Sequence, residues 1–191
     1  MRPNIPKLIF AILASIYMLW IAYDPMQGSF LDNVDLPIHE TGHLIFKLFG
    51  EFMMIAGGSL FQVSFPLIFV AYFVWQRSFY SAAIVMLWVG QSILNVWVYA
   101  SDAVVMQLVL TSGFTGSEGG FHDWNYLLEA TGLLDSTKGV AKIIRFFGTL
   151  TVIFAGATAV YLSFKEAESD VKYVGNAYHR CVERHRRGLC P

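Results

Sequence analysis

Residues 39–43 read His39-Glu40-Thr41-Gly42-His43, an H-E-x-x-H sequence. On an α-helix, positions four apart are about 40° apart in projection and one turn apart along the axis, so both imidazoles point the same way. Two imidazoles so placed can hold one Zn²⁺. Glu40 lies about 100° round the helix from His39, where its carboxylate can reach a water beside the ion without being a ligand. Zinc hydrolases use this arrangement: the ion acidifies a water and the carboxylate takes its proton. A blander reading is a pair of interfacial histidines capping a membrane helix. Against it, two of only five histidines and a glutamate at membrane depth are costly unless they are used.

A catalytic zinc needs a third protein ligand and an open position. His122, in Phe121-His122-Asp123-Trp124-Asn125, is the preferred candidate, since the remaining histidines lie near the C-terminus. Asp123 and Asp102 are the alternatives, either as ligand or as the carboxylate that orients a ligating imidazole. Asp123 before Trp124, Asn125 and Tyr126 also fits the start of a helix, which is compatible with either role. Lys47 is four residues beyond His43, and a cation on that face would oppose a metal; its long stem lets it snorkel away.

The elements that must position these groups are membrane helices. The chain has 191 residues, of which 55% are hydrophobic and 14% charged. About 25% charged is usual for a soluble domain, so there is too little charge to cover a water-facing surface. Mean hydropathy is +0.52. Lys and Arg number 13 against 14 Asp and Glu, a net charge of −1 that argues against a nucleic-acid partner. The two cysteines, Cys181 and Cys190, both lie at the C-terminus, which excludes a disulfide-stapled fold. Four runs approach the roughly 20 apolar residues that a span needs: about 8–23, 52–75, 79–100 and 146–164. The first follows Arg2 and Lys7 but has no small-x-small cleavage site after it, so we read a retained span rather than a signal peptide.

Lys and Arg placement sets orientation. Arg2 and Lys7 precede the first span, Arg77 lies between the middle two, and Lys165, Lys172, Arg180, Arg184, Arg186 and Arg187 follow the last. Segment 24–36 carries Asp24, Asp32 and Asp35 and no Lys or Arg. Both termini are then cytoplasmic, and segments 24–51 and 101–145 share the extracytoplasmic side. The H-E-x-x-H segment, residues 37–50, is too short to cross and is expected as a helix dipping into that outer face. Asp35 is its expected N-cap, Pro37 its first turn and Gly50 its stop.

H-E-T-G-H on a helix among membrane spans resembles the site-2-protease-like intramembrane zinc metallopeptidases, whose usual form is His-Glu-x-Gly-His. The resemblance covers residues 35–62, including Gly57-Gly58-Ser59. It implies His39 and His43 as zinc ligands and Glu40 as catalytic base. Two features depart from that family. Its third ligand usually comes from an Asp-Gly motif on a later span, which Leu133-Leu134-Asp135-Ser136 matches poorly. Its sites also lie toward the cytoplasmic face, opposite to the charge bias here.

Gln62, Gln91, Ser92 and Asn95 are polar residues within spans. Interhelical hydrogen bonding is their expected role, and lining a site cavity the alternative. Gly57-Gly58 permits close helix approach or local unwinding. Pro66 is expected to kink its span. His179, Cys181, His185 and Cys190 match no standard zinc spacing and are read as part of a solvated basic tail.

The sequence thus predicts an all-α polytopic membrane helix bundle: four spans and a short H-E-x-x-H helix at the extracytoplasmic face. Residues 1–165 form the membrane domain and residues 166–191 a basic cytoplasmic tail. The expected location is a bacterial inner membrane. The expected function is a zinc-dependent membrane hydrolase, a metallopeptidase acting on a membrane-associated or extracytoplasmic polypeptide. The alternative is a non-enzymatic membrane protein whose metal is structural and which serves as a partner or assembly factor. A di-iron enzyme would need more histidines, and a transporter an inverted repeat.

Overall fold

The computed structural model describes residues 3–111 and 113–186, with residues 166–186 as backbone only. Six α-helices follow in order: α1 (Ile5–Tyr23), α2 (Asp32–Phe46), α3 (Glu51–Trp75), α4 (Phe79–Ser101), α5 (Asp123–Ala130) and α6 (Thr137–Arg186). No strand occurs among the described residues; an isolated bridge pairs Val109 with Thr115. Four segments are long and apolar enough to cross a membrane: Ile5–Tyr23, Glu51–Trp75, Phe79–Ser101 and Leu134–Lys165. These are the four expected spans. The last helix is much longer than its apolar run, starting at Thr137 and continuing into the segment read as a tail. The side chains of His179, Cys181, His185 and Cys190 lie outside the described residues.

The central helix is α4, which packs against α6, α3 and α1. Met18, Ile21 and Ala22 of α1 meet Leu87 and Leu94 of α4 and Val152 and Ala155 of α6 in one core. Small residues let the backbones approach: Gly90 lies against Val152, Gly148 against Leu94, and Gly156 against Ser15. In lipid, where apolar burial drives little association, such close contact is what holds helices together. Both ends of the bundle are tied by polar groups. At one end the Asn4 N–H donates to the Ser163 carbonyl (3.0 Å), and the Tyr80 hydroxyl to the Lys7 carbonyl (2.6 Å). At the other, Arg145 donates to the Tyr23 carbonyl (2.9 Å) and lies over the Trp97 ring.

Helix α2, with 15 residues, is not among the segments long and apolar enough to cross a membrane. It begins at mid-height and ends near the same face as the start of α3. Asp32 accepts from Gln91 Nε2 (2.8 Å), while Asp35 accepts from Trp88 Nε1 (2.9 Å) and Ser92 Oγ (3.2 Å). All three donors lie midway along α4. From there α2 runs antiparallel to the first half of α3, turning back through a 3₁₀ segment, Lys47–Phe49, and Gly50. Gly50 has φ +95°, a left-handed conformation open to glycine. Lys47 is exposed in this turn, beyond the end of α2, which resolves its conflict with a metal face.

Two local expectations are corrected. Asp35 is not an N-cap. The helix starts three residues earlier, and its first turn is closed by Asp32, which accepts from the Ser29 backbone N–H and Oγ. Pro37 accordingly sits inside the helix rather than in its first turn. Gly57-Gly58 is not unwound: α3 runs through it and through Pro66 without interruption. The glycines serve the close approach instead. A Cβ on Gly57 would sit 2.8 Å from the Gly42 carbonyl oxygen and 2.5 Å from Phe46 Cβ.

Candidate metal centre

Helix α2 carries both imidazoles, and each has its Nδ1 tied down. His43 Nδ1 lies 2.9 Å from the Met54 carbonyl oxygen. A carbonyl can only accept, so His43 Nδ1 carries the proton and Nε2 is the nitrogen that faces the site. His39 Nδ1 lies 3.0 Å from Gln62 Oε1, and Gln62 Nε2 in turn donates to Asn95 Oδ1 (2.8 Å). This chain holds the His39 ring with Nε2 toward the site. Anchoring the distal nitrogen in this way is how proteins orient metal-binding histidines.

Both Nε2 atoms converge on one oxygen. Asp123 Oδ2 is 3.0 Å from His39 Nε2 and 3.1 Å from His43 Nε2. The three donor atoms lie within 4.8 Å of one another, a set able to hold a metal ion. His39 and Asp123 are buried, at 7% and 6% exposure, and His43 is half-buried. Beneath them lies Gly58: a Cβ there would come within 2.5 Å of His39 Nε2 and 2.7 Å of His43 Cε1. The small-residue stretch leaves the space in which the two rings meet.

Asp123 is distant in sequence, and its approach depends on how the start of α5 is fastened. Its backbone N–H donates to the Tyr99 hydroxyl (3.3 Å). Trp124 Nε1 donates to Ser59 Oγ (3.1 Å), and Asn125 Nδ2 to the Ala103 carbonyl (2.8 Å). His122 is the N-cap of α5, accepting through Nδ1 from the Asn125 N–H (3.2 Å).

The preferred third ligand is therefore corrected: Asp123, not His122, joins the pair. Nδ1 of His122 is spent on the helix cap, and its Nε2 faces Asp102 Oδ2 at 3.5 Å, away from the cluster. The ring packs 4.4 Å from that of Tyr99. Asp102 does not join either. Its carboxylate accepts the Gln107 and Leu108 N–H groups (3.0 and 2.8 Å) and shapes the turn after α4. Asp135 lies exposed in the turn before α6, apart from the cluster.

Electrostatics follow this geometry. The hydrogen bond to the Asp123 carboxylate raises His43 well above the ordinary histidine value. Burial alone would raise Asp123, but its bonds to the two imidazoles hold it below the usual carboxylate range. Burial lowers His122 despite Asp102 and Asp123 nearby, in the direction that favours Nδ1 as the acceptor of the cap hydrogen bond.

A cavity of about 570 Å³ opens onto the cluster. Its walls include His39, His43 and Asp123, with exposed Glu40 beside them. The sequence located the motif and Glu40 but missed the Met54 carbonyl, which carries no side-chain signal. Gln62, one turn beyond Gly58, was legible as a cavity residue though not as the partner of His39.

Comparison with family models, with curated proteins and with solved structures finds no match.

Proposed function

We propose that this protein is a zinc-dependent membrane hydrolase, a metallopeptidase that cuts a membrane-associated or extracytoplasmic polypeptide. The observation that carries the reading is the convergence of His39 Nε2, His43 Nε2 and Asp123 Oδ2 in a cavity that Glu40 also lines. Two imidazoles and one carboxylate form a three-ligand set of the catalytic type, with room for a further position. A carboxylate as third ligand also agrees with the resemblance to site-2-protease-like enzymes. Zinc held there would polarise an amide carbonyl and acidify a water.

The chain's own groups do the rest. Glu40 takes the proton of the attacking water as its oxygen bonds to the carbonyl carbon. The same carboxyl then gives the proton to the departing amine as the C–N bond breaks. Gln62 and the Met54 carbonyl keep the imidazoles aimed. In this reading the protein lies in a bacterial inner membrane with both termini cytoplasmic and the cluster near the outer face, as the Lys and Arg bias implies.

The test is metal content of detergent-purified protein beside His39→Ala and Asp123→Ala, followed by cleavage of membrane peptides with Glu40→Gln as control. About one zinc per chain, lost in both variants, with cleavage lost in Glu40→Gln, supports the proposal. Protein that neither retains nor takes up zinc refutes it. Stoichiometric zinc with no cleavage of any peptide leaves a structural metal in a non-enzymatic partner protein.

A further inference from the structure

The cavity runs along one face of α2, from Asp32 through Leu36, His39 and Glu40 to His43, a length of about 16 Å at 1.5 Å per residue. Its walls are largely apolar, with Met54, Ile55, Val96, Leu108 and Phe121 among them. Its charges are one-sided. Asp32, Glu40 and Asp123 line it, and no Lys or Arg does so among the described residues.

With the zinc of the proposed function in place, Asp123 and Glu40 would balance its two charges. Asp32 is then the surplus. It is half-buried at mid-height of the bundle, and its carboxylate is held by neutral donors only: the Ser29 N–H and Oγ and Gln91 Nε2. Asp35, one turn on, is 1% exposed, and its partners Trp88, Ser92 and Gln91 are neutral as well. A carboxylate accepts at about four lone-pair sites, so the bonds to Asp32 fix its position without exhausting or neutralising it. A carboxylate held at this depth by neutral donors favours a cation as its counterpart.

We infer that the groove selects a polypeptide with a Lys or Arg close to the bond to be cut, and that Asp32 is the acidic anchor for that side chain. The position relative to a scissile bond rests on the peptidase reading, whereas the charge preference is a property of the groove itself. Asp32 lies about 10 Å along α2 from His39. An extended chain advances about 3.3 Å per residue, so the basic residue falls within about three positions of the scissile bond. Asn33, exposed and lining the same end, is available to tune the charge without touching the metal cluster.

The experiment measures binding of a labelled short apolar peptide with one central Lys, and of its Glu and norleucine counterparts. The protein is the zinc-loaded, detergent-purified full chain carrying Glu40→Gln, so that nothing is consumed. The Lys peptide is expected to bind about tenfold more tightly than the Glu peptide, with norleucine between, as befits one charge-assisted contact. Adding Asp32→Asn is expected to narrow the gap to about twofold, and adding Asn33→Asp to widen it. Since Asp32 also closes the first turn of α2, the Asn33→Asp arm keeps the test open should Asp32→Asn fail to fold. Equal binding of the three peptides, no binding of any, or a gap unmoved by Asn33→Asp overturns the inference. So does a preference that sodium abolishes and choline at equal ionic strength does not, because the acceptor would then be a free-cation site. Cleavage by the chain with Glu40 intact is scored separately. Cleavage without charge preference sinks this inference alone, whereas charge preference without cleavage sinks the peptidase reading alone.

Discussion

Replacing Gly58 with alanine alters no donor atom, yet it is expected to weaken zinc binding strongly. A Cβ at this position would lie 2.5 Å from His39 Nε2 and 2.7 Å from both His39 Cε1 and His43 Cε1. Comfortable separation is about 3.5 Å, so the methyl group and the rings must part by about 1 Å. Neither ring is free to yield, because Gln62 and the Met54 carbonyl hold their far sides. Helix α3 cannot retreat from α2 either without opening the Gly42–Gly57 approach. Overpacking of this kind costs about 1–3 kcal/mol. At 1.4 kcal/mol per factor of ten, zinc affinity is expected to fall about 5- to 150-fold. The assay is competition against a chromophoric chelator, with circular dichroism confirming that the bundle remains helical. Gly139→Ala is the matched control, since nothing lies within 4 Å of a Cβ there, and it is expected to bind as wild type. If Gly58→Ala binds zinc within about twofold of wild type, the two imidazoles do not share a metal at this spot, and the argument from convergence fails.

Other outcomes follow from the same geometry. Asp123→Ala is expected to abolish zinc retention measured by elemental analysis. His122→Ala, which only uncaps α5, should lower affinity about tenfold and leave the stoichiometry intact; equal loss in both would return His122 to the ligand set. Gln62→Leu removes the acceptor for His39 Nδ1 and should weaken zinc about 10- to 100-fold in the same competition assay. Cysteines placed at Ser78 and Ser117 should be labelled from opposite sides of the membrane, Ser117 from outside; cytoplasmic labelling of Ser117 would overturn the orientation. In chelator-treated protein, the raised His43 adds stability in full below its ordinary value of 6.5. That part is lost as the pH rises through the raised value. The lowered Asp123 adds stability above its ordinary 3.8, lost as the pH falls through the lowered value. Thermal unfolding at a series of pH values should therefore show an alkaline decline that Asp123→Asn removes.

The spans were legible because apolar runs of 16 residues or more between charged turns leave little choice of structure. The start of α2 was not. Asp35 before Pro37 has the pattern of a cap, but the donors that claim Asp35 are Trp88 and Ser92, more than 50 residues away, and no local pattern reports them. The H-E-x-x-H pair and Glu40 could be read from spacing alone, since four residues on a helix fix direction. The third member could not, because it depends on which side of the first turn of α5 faces α2. A chain poor in histidine favours His122 by composition. Its imidazole instead spends Nδ1 on the Asn125 N–H, and the neighbouring carboxylate, one residue round the turn, takes the inward position.

The half-height placement of α2 also has a consequence for how the chain enters the bilayer. Apart from Ser29, which lies beside Asp32 in the chain, the donors to Asp32 and Asp35 stand on α4, which leaves the ribosome some 55 residues later. Until then, two carboxylates at the N-terminus of α2 would face hydrocarbon if the helix sank to its final depth. The order of assembly is thereby constrained. Segment 24–50 finds the partners of its final depth only once α3 and α4 are in place. It then settles against them as its acids exchange water for Trp88, Gln91 and Ser92. The cluster of His39 and His43 with Asp123 can close only once α5 has emerged, 84 residues beyond His39.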